Sequence, residues 1–131
     1  MARVTGCDIT LVDIPLEGLQ IAARRAVAEQ LSGDCWIAMA DGAALPFKEE
    51  WFDSIGHSDV LCCLEAKPSV LKECRRITRC DGRMVFTVIS IASGLSPSDY
   101  ERAVNAGPPF KAIDAEYPRM LEEAGWRLTD Y

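Results

Sequence analysis

Residues 35–53, CWIAMADGAALPFKEEWFD, decide the fold expected for this chain. An apolar run of strand length leads into Asp41-Gly42, and a charged turn separates that pair from a second strand-like run that opens at Trp51. A carboxylate and an approachable backbone N–H at the end of a buried strand would suit a flat heterocycle with an exocyclic amine. The same dipeptide is typical of an ordinary turn, and taken alone it favours that simpler interpretation.

The flanking sequence predicts alternating strands and helices. Residues 8–14 make a short β-branched run that ends in an acid, which predicts a strand. Residues 16–31 repeat apolar side chains at three- or four-residue steps, which predicts an amphipathic helix. Pro15 fits the start of this helix, and Ser32-Gly33 fits its end. Further elements are predicted as a strand at 35–39, a strand at 53–61, a helix at 68–78, a turn at 81–82 and a strand at 83–91. This order predicts an α/β fold with a mostly parallel sheet.

The C-terminal third has a different character. Ser96 followed by Pro97 predicts a capped helix to about residue 105. A second helix is expected at 115–124, ended by Gly125, with a last strand at 126–131.

Composition excludes several classes of function. The chain has a net charge of −6 and no stripe of Lys or Arg, so neither nucleic acid nor membrane is expected as a partner. No apolar run approaches the ~20 residues of a membrane span, and no signal-peptide pattern is present, so we predict a cytoplasmic protein. Six cysteines lack C-x-x-C spacing and His57 is the single histidine, which predicts reduced, buried thiols and no metal site.

The ordered set of these features resembles the class I S-adenosylmethionine-dependent methyltransferases of the small-molecule type. The matching features are an acid after a hydrophobic strand at Asp13, the segment ADGAALPF at 40–47, a strand opened by Phe52-Asp53, and the helix, glycine turn and strand at 71–88. The resemblance implies a Rossmann-like three-layer sandwich. It further implies a single domain over residues 1–131, with 92–117 as a variable, lid-like region that sets the acceptor.

The resemblance also implies roles for particular residues. Asp13 would accept hydrogen bonds from the two ribose hydroxyls of the cofactor, and Ile14 would pack on the adenine face. Asp41 would accept a hydrogen bond from the adenine amine, and the N–H of Gly42 would lie near a ring nitrogen. Ligands of parallel sheets bind at the carboxyl ends of the strands, where these residues are expected.

His57 or Ser58, near the end of the following strand, would border the methionine half of the cofactor. For His57, a hydrogen-bonded structural residue near a strand end is the simpler interpretation. No catalytic base can be assigned, since His57, Asp59, Tyr100 and Tyr117 are merely polar residues that could face a pocket.

One defining feature of the family has no counterpart in the sequence. The family's first strand and Gly-rich loop would have to precede Met1, because Gly6 is the only glycine upstream of Asp13. The expected sheet therefore lacks its first, central strand. Either the flanking strands close up, or a second copy completes the sheet, or the chain is part of a longer protein. We expect a homodimer, because unpaired central edges favour association.

Three functions stay open from the sequence alone. The chain is a methyltransferase-like domain that binds S-adenosylmethionine or S-adenosylhomocysteine weakly if at all, with an unknown small-molecule acceptor. Alternatively, it is a non-catalytic truncated remnant that acts as an oligomeric interaction protein. A nicotinamide-dinucleotide domain is least favoured, because it needs the same Gly-rich loop.

Overall fold

A computed structural model describes residues 2–113 and 115–129 of the chain. The chain divides into two compact units, Met1–Pro46 and Phe47–Tyr131. Each unit holds two strands joined through a helix, and in the described residues both pairs of strands are parallel. This confirms the predicted α/β class, with two small, incomplete sheets of two strands each.

The first unit is a β-α-β arrangement preceded by a short helix. Its elements are α1 (Ala2–Thr5), β1 (Ile9–Asp13), α2 (Leu16–Ala28) and β2 (Cys35–Met39). β1 and β2 pair in parallel, with Ile9 opposite Cys35 and Asp13 opposite Met39. Parallel neighbours need a crossover connection, and α2 supplies it.

Helix α2 ends three residues before the predicted boundary. Gln30 has a positive φ of 50°. The amide of Gln30 bonds to the carbonyl of Val27 at 3.1 Å, and that of Leu31 bonds to the carbonyl of Ala26 at 3.4 Å. This pair of bonds is the Schellman pattern, in which a left-handed residue ends the helix. The prediction of an exit at Gly33 is wrong because Gln30, not a glycine, adopts the left-handed conformation.

In the described residues, the second unit holds the other two strands, a 3₁₀ turn and three α-helices. Its elements are β3 (Phe52–Ser58), a 3₁₀ turn (Leu61–Cys63), α3 (Lys67–Ile77), β4 (Thr78–Thr87), α4 (Pro97–Ala106) and α5 (Tyr117–Glu123). β3 and β4 pair in parallel, with His57 opposite Phe86 and Ser58 opposite Thr87. Strand β3 ends at Ser58, three residues before the predicted boundary. The next residue, Asp59, has a positive φ of 56°, which an extended strand does not allow.

The predicted turn at 81–82 is wrong, because these residues lie inside β4. The pairing jumps from Phe52 opposite Thr78 to Ser54 opposite Arg83, so the extra residues of β4 form an irregularity within the strand. Gly82 is required there, since a Cβ would lie 2.5 Å from Cγ2 of Thr78 and 2.8 Å from the carbonyl oxygen of Asp53. The strand also ends at residue 87 rather than 91.

The predicted helices of the C-terminal third are confirmed with small shifts. Ser96 caps α4, and its Oγ accepts a hydrogen bond from the amide of Asp99 at 3.2 Å. Helix α5 spans seven residues with Pro118 in its first turn, and Gly125 follows it with a φ of 85°. The predicted last strand is not formed at 126–129, and residues 130 and 131 lie outside the described part of the chain.

Buried hydrophobic side chains are distributed unequally between the two units. In the second unit they come from the 3₁₀ turn, α3 and the region of α5, namely Leu61, Cys62, Val70, Leu71, Cys74, Ile77, Tyr117, Leu121 and Ala124. In the described residues of the first unit, Leu19 is the one buried hydrophobic side chain. Large apolar side chains there are exposed, including Trp36 at 50% and Met39 at 64%.

All six cysteines are free, as predicted. Cys62 and Cys74 are buried, as predicted, and Cys35 and Cys63 are only half-buried. Cys7 and Cys80 are exposed, so the prediction of buried thiols is wrong for these two. Cys7 lies ahead of β1, and Cys80 lies in the irregular part of β4. Over the described residues, none of the helices combines the length and the apolar composition that a membrane crossing needs.

Candidate functional site

Two acidic residues lie at the same edge of sheet β1–β2. Asp13 is the last residue of β1, and Asp41 follows the end of β2 by two positions. The amide of Ala40 donates to the carbonyl oxygen of Asp13 at 3.1 Å, which extends the hydrogen bonding just past the strand ends. Both acids thus belong to the carboxyl ends of adjacent parallel strands, where ligands of such sheets bind.

The loop after β2 is held by Asp41 itself. Its Oδ1 accepts from the amide of Ala43 at 2.9 Å, and its carbonyl oxygen accepts from the amide of Ala44 at 2.9 Å. These bonds form an Asx turn over a β-turn and fix the carboxylate relative to Gly42. Oδ2 of Asp41 accepts no hydrogen bond from the described residues, and the side chain is exposed, so it can accept one from a ligand.

Asp13 presents a similar carboxylate. Its Oδ1 accepts from the amide of Ile14 at 2.8 Å, while Oδ2 has no donor within the described residues. Ile14 follows directly and is 62% exposed, so an apolar surface adjoins the carboxylate. Two acceptors and an exposed aliphatic side chain at one sheet edge form a set of groups that fits a nucleoside, which offers hydroxyl and amine donors and an aromatic face.

The other two predicted residues, His57 and Ser58, belong to the second unit. They are consecutive in β3, so their side chains point to opposite faces of the sheet. Because of this alternation, the two side chains cannot line the same face, and they have different surroundings.

The imidazole of His57 lies in an apolar environment. Its ring stacks on Phe86 with centroids 5.1 Å apart, and Phe86 lies 6.2 Å from the ring of Tyr117. Both ring nitrogens are buried and have no hydrogen-bond partner among the described residues. Burial lowers the pKa of His57, so the ring is neutral at pH 7. The interpretation as a hydrogen-bonded residue is therefore wrong, although its position near a strand end is confirmed.

Ser58 is exposed and belongs to a small polar cluster at the carboxyl ends of β3 and β4. Its Oγ lies 2.7 Å from Oγ1 of Thr87 and donates to Oδ2 of Asp59 at 3.1 Å. Oδ1 of Asp59 lies 3.3 Å from the same Thr87 hydroxyl. The sequence assigns no role to Asp59. Like Asp13, however, it is an acid at the carboxyl end of a strand.

No grouping of three or more His, Cys, Asp or Glu side chains in the described ranges is placed to hold a metal ion.

Comparisons with known proteins point to one family. A sequence profile described as a methyltransferase domain matches residues 1–86. The methyltransferase GfsG of Streptomyces halstedii is 26% identical over 137 residues, which cover 99% of this chain and 48% of that protein. The chain thus spans about half the length of this curated relative.

Solved structures show the same fold. One is phosphoethanolamine N-methyltransferase 2 of Haemonchus contortus, in complex with phosphomonomethylethanolamine and S-adenosylhomocysteine. Its TM-score is 0.76 at 19% identity, over 95% of this chain and 29% of that chain. Another is the trans-methyltransferase CalH in complex with S-adenosylhomocysteine. Its TM-score is 0.63 at 20% identity, over 90% of this chain and 36% of that chain. Both likenesses concern the fold, which is Rossmann-like as predicted.

Proposed function

Because this chain belongs to the methyltransferase domain family, we propose that its first unit binds the adenosine part of S-adenosylmethionine or S-adenosylhomocysteine. The observation that carries the proposal is the placement of Asp13 and Asp41 at the carboxyl ends of adjacent parallel strands. Asp13 would hold the ribose hydroxyls, and Asp41 would hold the adenine amine beside the N–H of Gly42. Ile14 would cover one face of the adenine.

The proposed activity is methyl transfer to a small-molecule acceptor. When bound, S-adenosylmethionine supplies an electrophilic methyl group, so the task of the protein is to orient the acceptor against it and to exclude water. Of the two β3 candidates, Ser58 is the one whose side chain is open to a ligand, because it is exposed whereas the ring nitrogens of His57 are buried. Residues 92–117, which include α4, are proposed as the region that selects the acceptor. The family match gives no support to the alternative of a non-catalytic remnant.

The binding proposal is tested by calorimetric titration of S-adenosylhomocysteine into the wild-type protein and into Asp13→Asn and Asp41→Asn. Loss of a hydrogen bond to a charged acceptor is worth ~1.5–3 kcal/mol, so each variant should bind about ten- to a hundredfold more weakly. Asp34→Asn is the matched control, since Asp34 is an exposed acid directly ahead of β2, at the opposite end of the strand. Absence of binding by the wild-type protein at millimolar ligand would overturn the proposal.

We further propose that two copies of the chain associate as a homodimer through sheet β1–β2. A two-stranded parallel sheet leaves unpaired edges, and this one also exposes the large apolar side chain of Trp36. A second copy offers the same edges and the same apolar side chain, as an isologous interface requires.

Light scattering at micromolar concentration should give twice the chain mass of 14.4 kDa. Trp36→Lys should shift the protein toward the monomer, whereas Trp51→Lys, at a tryptophan 60% exposed in the second unit, should not. A monomeric wild-type protein would contradict the proposal. A cytoplasmic location stays a prediction.

A further inference from the structure

Two consecutive cysteines lie on the 3₁₀ turn after β3. The Sγ atoms of Cys62 and Cys63 are 3.8 Å apart. Both thiols are directed at one acceptor, the carbonyl oxygen of Asp59, at 3.1 Å from Cys62 and 3.8 Å from Cys63. A shared acceptor places both sulfurs on the same side of the turn. The pair is therefore preorganised as a bidentate ligand rather than splayed apart.

The turn that carries the pair is fixed by its surroundings. The amide of Cys63 bonds to the carbonyl of Val60 at 3.1 Å, and the carbonyl of Cys62 accepts from the amide of Lys111 at 2.9 Å. Cys62 is 3% exposed. Cys63 is half-buried, so a ligand from solvent can reach the pair at its thiol. The other four cysteines make no contact of this kind with a second thiol in the described part of the chain.

The donor set discriminates between thiophilic ligands. Zinc prefers four ligands in protein sites, but no third His, Cys, Asp or Glu of the described residues completes a cluster here. Metal cations also need thiolates, whereas burial, and next the neighbouring Cys62, raise the pKa of the Cys63 thiol. This pair is better suited to a compound whose central atom carries three substituents. Two of them are exchanged for the two neutral thiols, and the third stays in place.

We infer that Cys62 and Cys63 form a chelating dithiol site for trivalent arsenicals, compounds in which arsenic carries two exchangeable hydroxyl groups. In the condensation, two S–H bonds and two As–O bonds break, and two As–S bonds form. The two thiol protons leave with the two hydroxyl groups as two molecules of water. Arsenic stays trivalent, so no oxidant or reductant is involved. The site does not depend on nucleoside binding by the first unit.

The test uses phenylarsine oxide, which hydrates to such a compound, on the full chain after reduction with a phosphine and removal of the reductant. Intact mass should show one phenylarsenic group gained and two hydrogens lost. The second As–S bond is intramolecular, so removal of either thiol by Cys62→Ser or Cys63→Ser should weaken binding by about a hundredfold or more. Cys80→Ser, at an exposed thiol, is the matched control and should bind like the wild-type protein.

Competition with added thiols distinguishes chelation by both cysteines from attachment to one of them. The wild-type adduct should survive an excess of glutathione, a monothiol, and should be reversed by dithiothreitol, a dithiol. Circular dichroism monitors folding of the variants, and if Cys62→Ser does not fold, the half-buried Cys63→Ser carries the test alone. Loss of the wild-type adduct to glutathione, or an unchanged adduct in Cys63→Ser, would overturn the inference.

Discussion

The imidazole ring of His57 stacks on the phenyl ring of Phe86, its partner on the neighbouring strand, with the two planes at 19°. The stacking leaves both ring nitrogens buried and without a hydrogen-bond partner in the part of the chain that is described. A polar group in this position loses its water and gains no replacement, which costs free energy of folding.

Replacement of this ring by an apolar one should stabilise the fold. His57→Phe keeps an aromatic ring against Phe86 and removes the unsatisfied nitrogens, so the free energy of unfolding should rise by about 1–3 kcal/mol. Urea denaturation at pH 7 measures the change. His57→Gln, which keeps polar atoms at the same site, should give no such gain. A less stable His57→Phe protein would show that the imidazole has a favourable partner.

The same residue predicts how stability depends on pH. The usual histidine pKa is 6.5, and burial lowers it in the folded state. Below pH 6.5 the unfolded chain therefore binds a proton that the folded chain does not, so stability falls as the pH drops from about 7 toward the folded-state pKa.

Denaturation of the wild-type protein and of His57→Phe between pH 7 and pH 5 isolates this effect, because His57 is the only histidine. The difference in stability between the two proteins should widen as the pH falls, with a slope of at most about 1.4 kcal/mol per pH unit. A constant difference across this range would contradict the burial of the ring.

Two glycines should respond in opposite directions to alanine. Gly82→Ala places a Cβ against Thr78 and the carbonyl oxygen of Asp53 and should destabilise the fold by about 1–3 kcal/mol. Gly18 lies in helix α2, where an added Cβ would meet nothing within 4 Å, so Gly18→Ala should stabilise by about 0.5–1 kcal/mol. Thermal and urea unfolding of the two variants measures the sign of both changes in stability. An unchanged stability of Gly82→Ala would refute the close packing in β4.

Lys67 should be a structural residue despite its charge. It is 1% exposed, and its Nζ donates to the carbonyl oxygens of Leu64 at 2.6 Å and Lys111 at 2.5 Å. Lys67→Met keeps the apolar stem but leaves these acceptors without their donor, so stability should fall by about 1–3 kcal/mol.

Amide hydrogen exchange should also accelerate at Lys111 in that variant, because Lys67 ties this residue to the start of α3. Lys72→Met, at an exposed lysine of the same helix, is the control and should change neither quantity. Equal stability of Lys67→Met and Lys72→Met would count against the role of the buried ammonium.

Local signals are sufficient to predict several parts of the fold. The strand at 35–39 is predicted to the residue, because its apolar run ends at an Asp-Gly pair that cannot continue it. The Ser96 cap is predicted because a hydroxyl ahead of Pro97 satisfies a free helix amide. The adjacency of the Asp13 and Asp41 strands follows from the crossover that α2 provides.

Other features depend on pairing and packing that a single segment does not encode. Asp81-Gly82 has the composition of a turn, but Thr78 and Arg83 pair with β3 on either side of it and keep it inside a strand. Gln30 adopts a conformation that sequence statistics assign to Gly33. His57 stacks on Phe86, which lies 29 positions further along the chain, and Phe86 in turn contacts the ring of Tyr117.

The unequal distribution of buried side chains would lower the apparent affinity of the proposed nucleoside site. Asp13 and Asp41 belong to the unit in which Leu19 is the one buried hydrophobic side chain among the described residues. A segment with so little buried surface has a small free-energy difference between its ordered and opened forms. A ligand held there must supply the ordering free energy from its own contacts, so the measured dissociation constant exceeds the intrinsic one by the inverse of the ordered fraction. A second copy that covered sheet β1–β2, as proposed for the homodimer, would therefore act as a positive effector of nucleoside binding without touching the ligand.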